Sequence, residues 1–150
     1  MALTLTAVFD ALVARLVASG LTEAASPVGV SNQPSPVIDS SFSVSFDGEQ
    51  DTGETRSRTD RGAMHIAANV TVTIVNKNPP RGQQALRAAL ADTQTAIRAV
   101  WEPATELTRG VRVNMPGRIV RAIAGGGAYY VTTIPLTLTF ALDLSTEAVP

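Results

Sequence analysis

The run from Ala128 to Asp143 alternates more strictly than any other part of this chain. Tyr130, Thr132, Ile134, Leu136, Leu138, Phe140 and Leu142 fall on one face. Tyr129, Val131, Thr133, Pro135, Thr137 and Thr139 fall on the other. A period of two belongs to a half-buried strand, so one face must find an apolar cover. Pro135 lacks an N–H and predicts an edge position or a bulge.

A second alternating run spans Met64 to Val75, with Ile66, Ala68, Val70, Val72 and Ile74 on one face and Thr71 and Thr73 on the other. Before it, Val37 to Phe46 puts Phe42, Val44 and Phe46 opposite Ser41, Ser43 and Ser45. These two runs predict an antiparallel pair with a long connection. Val111 to Ile123 predicts a further strand region, interrupted near Met115-Pro116-Gly117. Gly125-Gly126-Gly127 then turns it back into the final run.

Two segments carry helical spacing instead. Leu5, Val8, Leu12 and Leu16 recur at three and four residues. Thr4 is the expected N-cap, Leu3 and Val8 the expected staple, and Gly20 the expected terminator. The second helix is predicted to start at Asn78-Pro79-Pro80 and end by Pro103. Its buried stripe is read as Leu86, Leu90, Thr93, Ile97 and Val100 or Trp101. The order is helix, two strands, helix, two strands. This predicts one α+β domain over residues 1–150: a mainly antiparallel sheet of two long strand pairs covered by two helices.

The most polar segment, Asp47 to Gly62, reads DGEQDTGETRSRTDRG and contains no apolar residue. It is predicted to be a mobile loop between two strands, acidic at first and then basic. The tail from Ser145 to Pro150 is expected to fray. No apolar stretch is long enough to span a bilayer. Met1 to Thr4 has no basic residues and Asp10 interrupts the apolar run that follows, so no signal peptide is expected.

A search for chemistry finds little. Cysteine is absent, which excludes disulfides and thiolate metal sites. His65 is the one histidine and sits in a strand pattern without a nucleophile elbow elsewhere. Asp47, Glu49 and Asp51 have calcium-loop spacing at first sight, but the required glycine and distal glutamate are misplaced. The triple glycine leads into a strand, not the helix a phosphate loop needs. Pro103 separates Glu102 from Glu106. The chain is therefore expected not to be an enzyme and to need no cofactor.

The net charge of −1 favours neither nucleic acid nor an anionic membrane. Charge is nevertheless uneven: acidic residues lead before position 60 and arginine leads after it. Arg109, Arg112, Arg118 and Arg121 form one sequence cluster, and Arg56, Arg58 and Arg61 another. Such arginines can track phosphates, so a small nucleic-acid-binding module is one reading.

The organisation as a whole resembles the tail terminator proteins of long-tailed bacteriophages, which complete the tail and join it to the head. The resemblance lies in the amphipathic first helix, the long polar loop between strands and the Pro-initiated helix ending at Trp101-Glu102-Pro103. The closing segment carries it too: Arg118-Ile119-Val120-Arg121, the glycine turn and Tyr129 to Leu138. It implies a virion structural protein at the head-proximal end of the tail, assembled in the host cytoplasm. It implies a homo-oligomeric ring, a hexamer, that caps the tail tube and ends its polymerisation. The implied partners are the tube protein and a head connector or neck protein, with DNA only in transit and no membrane. A neck or head-completion subunit is the nearest alternative.

A closed ring needs complementary surfaces on each subunit. Thr71, Thr73, Thr133, Thr137 and Thr139 are the expected lateral contacts. Asp47, Glu49, Asp51, Glu54, Arg56, Arg58 and Arg61 are the expected axial contacts. Arg109, Arg112, Arg118 and Arg121 are the candidates to face a lumen and the DNA within it.

Overall fold

The computed structural model describes residues 3–24, 39–52, 63–77, 82–101, 110–115, 117–124 and 129–143. Helix α1 spans Leu5–Ala18. Its cap is the expected one: Thr4 Oγ1 accepts a 3.1 Å bond from the Ala7 N–H. Val8, Leu12 and Leu16 are its buried residues, one per turn. The chain leaves the helix through Gly20, whose φ of 107° is a conformation that side-chain-bearing residues avoid. A short strand follows, β1 (Thr22–Glu23), which the sequence pattern does not announce.

Strand β2 runs Ser41–Asp51 and β3 runs Ala63–Lys77. Helix α2 spans Gly82–Trp101. Two short strands, β4 (Arg112–Asn114) and β5 (Val120–Ala124), lead to β6 (Tyr129–Asp143). The six strands form one sheet in the order β1-β2-β3-β6-β4, with β5 also paired to β6. Every pairing is antiparallel except β1 with β2.

The spine is the β3–β6 ladder, unbroken from Ala63 opposite Asp143 to Lys77 opposite Tyr129. It joins the β2–β3 pair to β6 and its short neighbours. Both β3 and β6 turn the same phase toward the helices. Ile66, Ala68, Val70, Val72 and Ile74 from β3 are buried beside Ile134, Leu136, Leu138 and Phe140 from β6. Val8, Leu12 and Leu16 of α1 and Ala96 and Val100 of α2 complete this core with Phe42. Each large aliphatic side chain so buried contributes about 1.5–3 kcal/mol relative to exposure.

Three expectations require correction. Strand β2 does not stop at Phe46. It continues through Asp51, so the first part of the polar run is strand rather than mobile loop. The extension starts at a bulge between Phe46 and Gly48, where Gly48 takes φ 146°. Asp47, Glu49, Gln50 and Asp51 are exposed in this extension, so polar side chains are tolerated there. Residues 53–62 of that run and the tail from residue 144 lie outside the described residues.

The second correction concerns α2. Its inward residues are Ala85, Ala89, Thr93, Ala96 and Val100, whereas Leu86 and Leu90 are 38% and 48% exposed. The sheet already supplies large side chains beneath this helix, so small ones let it lie close.

The third concerns Pro135. Strand β6 is no edge, since β3 pairs along all of it. On its other side the pairing skips from Asn114 opposite Thr137 to Val120 opposite Thr133. The ladder is thus broken opposite 134–136, and the missing N–H of Pro135 coincides with that break. Gly117 passes close there: a Cβ on it would stand 3.5 Å from Pro135 Cγ, in van der Waals contact.

Candidate assembly surfaces

Alternation sends the other residues of β3 and β6 to the face away from the core. Asn69 is exposed there, and Thr71, Thr73, Thr133, Pro135, Thr137 and Thr139 are half-buried. Among the described residues of β2, β3 and β6 on this face, Ser41 and Val75 alone are buried. The register orders the rest into rows. Ser43, Thr73 and Thr133 stand side by side, as do Ser45, Thr71 and Pro135. Gly48, Asn69, Thr137 and Asn114 form the next row. Gln50, Ala67, Thr139 and Arg112 form the one after it. The five threonines named from sequence therefore lie together on one surface dense in hydroxyls and amides.

One carboxylate is fixed into this surface. Asp47 sits at the β2 bulge, and Ser45 Oγ and Thr71 Oγ1 each donate to it at 2.6 Å. Thr71 is thus committed to holding Asp47 rather than left open. Glu49 and Asp51 follow along the same strand and are exposed. Glu54, Arg56, Arg58 and Arg61 lie outside the described residues.

The arginines do not form one group. Arg109 lies outside the described residues. Arg112 is exposed on β4, opposite Thr139 and so on the threonine face. Arg118 is exposed between β4 and β5. Arg121 lies opposite Thr132, on the helix-covered side, and its Nη2 donates to Thr93 Oγ1 of α2 at 2.9 Å.

That contact belongs to a polar cluster under α2. Asn76 and Thr132 are fully buried and Thr93 nearly so. Asn76 Nδ2 donates to Asp92 Oδ2 at 2.6 Å, and Thr93 Oγ1 donates to the Ala89 carbonyl at 2.6 Å. Asn76 Oδ1, Arg121 Nε and Thr132 Oγ1 are buried without a protein partner. A buried polar group costs stability when nothing satisfies it. The signal was available: positions 76, 121 and 132 continue apolar faces but carry polar side chains.

The flank of α2 beyond Thr93 is apolar and uncovered. Leu86, Leu90 and Trp101 are all more than a third exposed. Gln94, Ile97, Arg98 and Trp101 line an open groove of about 440 Å³ with Met115 of the β4–β5 connection. The groove and the Arg121–Thr93 bond together set the β4–β5 margin alongside this flank. On that margin Ile123, opposite Tyr130 on the helix side, is 58% exposed, whereas Val120, opposite Thr133, is 50% exposed on the threonine face. Exposed apolar groups gathered in this way mark a surface for another molecule.

Among the described residues no group of three or more His, Cys, Asp or Glu side chains could hold a metal ion. His65 is a half-buried strand residue whose carbonyl accepts from the Thr52 N–H at 3.0 Å. No described helix is long and apolar enough to cross a membrane.

No protein-family model matches the chain, and no curated protein matches it. Its structure does have solved counterparts. One is the sheath/tube terminator of an extracellular contractile injection system, the PVC, determined by cryo-EM in the extended state. The two superpose with a TM-score of 0.52 at 15% sequence identity. The alignment covers 100% of this chain and 62% of the terminator, so this chain spans less than two thirds of that protein's length. The likeness is one of fold: among the described residues this chain is mixed α+β, with a six-stranded sheet and two helices, and resembles that terminator.

Proposed function

We propose that this chain is a tail terminator: a virion structural protein that forms a ring on the tail tube, ends tube polymerisation and offers the surface to which a head attaches. The observation that carries this reading is the fold likeness to a sheath/tube terminator along the whole of this chain. The surfaces are in keeping with it. A ring subunit must present two different joining regions. This one has a hydroxyl-rich sheet face and an apolar flank on α2, and neither contains a visible catalytic arrangement. In the proposal the ring is a hexamer at the head-proximal end of the tail, and its axial partners are the tube protein and a head connector. The subunit works by binding, without cofactor or turnover.

The nucleic-acid reading has less to support it, because Arg112 and Arg121 occupy opposite faces of the sheet and Arg121 is engaged with α2. Of the candidates among the described residues, Arg112 and Arg118 are the ones left for contact with DNA in transit.

Deletion of the gene tests the proposal. Tails made without the protein should carry overlong tubes and no heads, as seen by electron microscopy. Tubes of normal length with heads attached would overturn it.

A further inference from the structure

The uncovered flank of α2 is a straight stripe. Leu86, Leu90, Ile97 and Trp101 follow one another at four, seven and four residues. At about 100° per residue they fall within about 60° of one another around the helix and extend over about 22 Å of it. Leu86, Leu90 and Trp101 are more than a third exposed, and Ile97 is half-buried between them. The second wall of the groove belongs to the β4–β5 side of the sheet. Met115 lines it together with Trp101. Ile123 shares a row with Tyr130 and Asn76, and Asn76 bonds to Asp92, so Ile123 stands level with the middle of α2.

The charge around this groove has one sign. Arg87 and Arg98 are eleven residues apart, about three turns, so both border the stripe on its side away from the core, and both are exposed. Asp92 is the one carboxylate within α2, and it lies across the helix, where Asn76 donates to it. On the other wall, residues 110–124 contain no Asp or Glu, and Arg118 is exposed there.

A second copy of α2 fits this flank poorly. The stripe is symmetric about its midpoint, so an antiparallel pair would bring Leu86 to Trp101 and Leu90 to Ile97. The same pairing sets Arg87 of each copy next to Arg98 of the other, two like-charge contacts in one small joint. Nucleic acid fits poorly too, because it calls for aromatic platforms. Trp101 is the one aromatic ring that lines the groove.

We infer that this groove binds an amphipathic helix of another protein, whose aliphatic seam fills the stripe and whose carboxylates meet Arg87 and Arg98. A helix is the matching element, because a straight stripe on one helix is covered by a second lying nearly parallel to it, about 8–10 Å away. Opposite charge beside the seam then sets which helix is accepted and in which direction it lies. Such a site goes beyond the terminator reading and does not rest on it. Within that reading it makes the flank an axial surface.

Trp101 is the only tryptophan of the chain and lies in the groove, so its fluorescence reports what enters. The probes are two synthetic amphipathic helices with the same leucine seam, one flanked by glutamates and one by lysines, titrated at low salt into the full chain. The glutamate peptide should shift Trp101 emission to the blue and bind roughly tenfold or more tightly than the lysine peptide. The double variant Arg87→Glu/Arg98→Glu should reverse that preference, and Leu90→Gln should weaken binding of both peptides. These three positions are exposed, and circular dichroism checks that each variant folds. Equal affinity for the two peptides, no shift with either, an unreversed preference in the double variant or unchanged binding by Leu90→Gln would overturn the site. So would a blue shift on self-association alone, which gives the groove to a second copy. A shift with a single-stranded oligonucleotide but not with the glutamate peptide would overturn it as well. Tube termination is read separately, on tubes, and none of these outcomes decides it.

Discussion

On one side of β6 the side chains of Ile134, Leu136, Leu138 and Phe140 are buried under two helices. On the other side Thr133, Pro135, Thr137 and Thr139 remain half-exposed. The two sets are offset by a single residue on one strand, yet they answer to different demands. The first is held to volume and apolarity by the packed core. The second keeps its β-branched shape, which suits a strand, while its hydroxyls stay available to another surface. The same division runs through β3, with Val70, Val72 and Ile74 on one face and Thr71 and Thr73 on the other. A sheet built this way can change what it binds without changing how it folds.

Mutation should separate the two faces. The largest effect is expected from Phe140→Ala, which removes a 3%-exposed ring from the core. It should cost about 3–5 kcal/mol of unfolding free energy in urea titrations, and Leu136→Ala about 2–5. Next comes the polar cluster on the covered face. Asn76→Ala leaves the half-buried Asp92 carboxylate without its donor and should cost about 1–3 kcal/mol by the same measurement. On the threonine face, Thr133→Lys with Thr137→Lys should change stability by less than about 0.5 kcal/mol per site. If this face meets a partner, the pair should still impair assembly on tubes. A large loss of stability there would erase the distinction between the faces. The smallest effect is expected from Thr132→Val. It deletes a buried hydroxyl that has no protein partner while keeping the shape, so stability should stay level or rise slightly.

The faces are legible in the sequence because a period of two assigns every residue of a strand to a side. The five threonines come together for that reason. The cap at Thr4, the exit at Gly20 and the break near Met115 are legible from local chemistry. What joins β3 to β6 is not, since a ladder between distant strands leaves no mark in either one. Polarity misleads at Asp47 to Asp51, where the strand that buries Phe42 continues with mostly exposed residues. On α2, size misleads: Leu86 and Leu90 are the natural choice for a core, but the space against the sheet takes alanine. The arginines are close in sequence yet divided in space. The register separates Arg121, opposite Thr132, from Arg112, opposite Thr139.

The central claim is that this subunit ends the growth of a tail tube. The direct measurement is tube length during polymerisation in vitro, with the purified protein added while tubes are still growing. The account predicts that growth stops and that the protein sits as a ring at one end of each tube. Tubes that keep lengthening, with the protein bound to neither end, would contradict it.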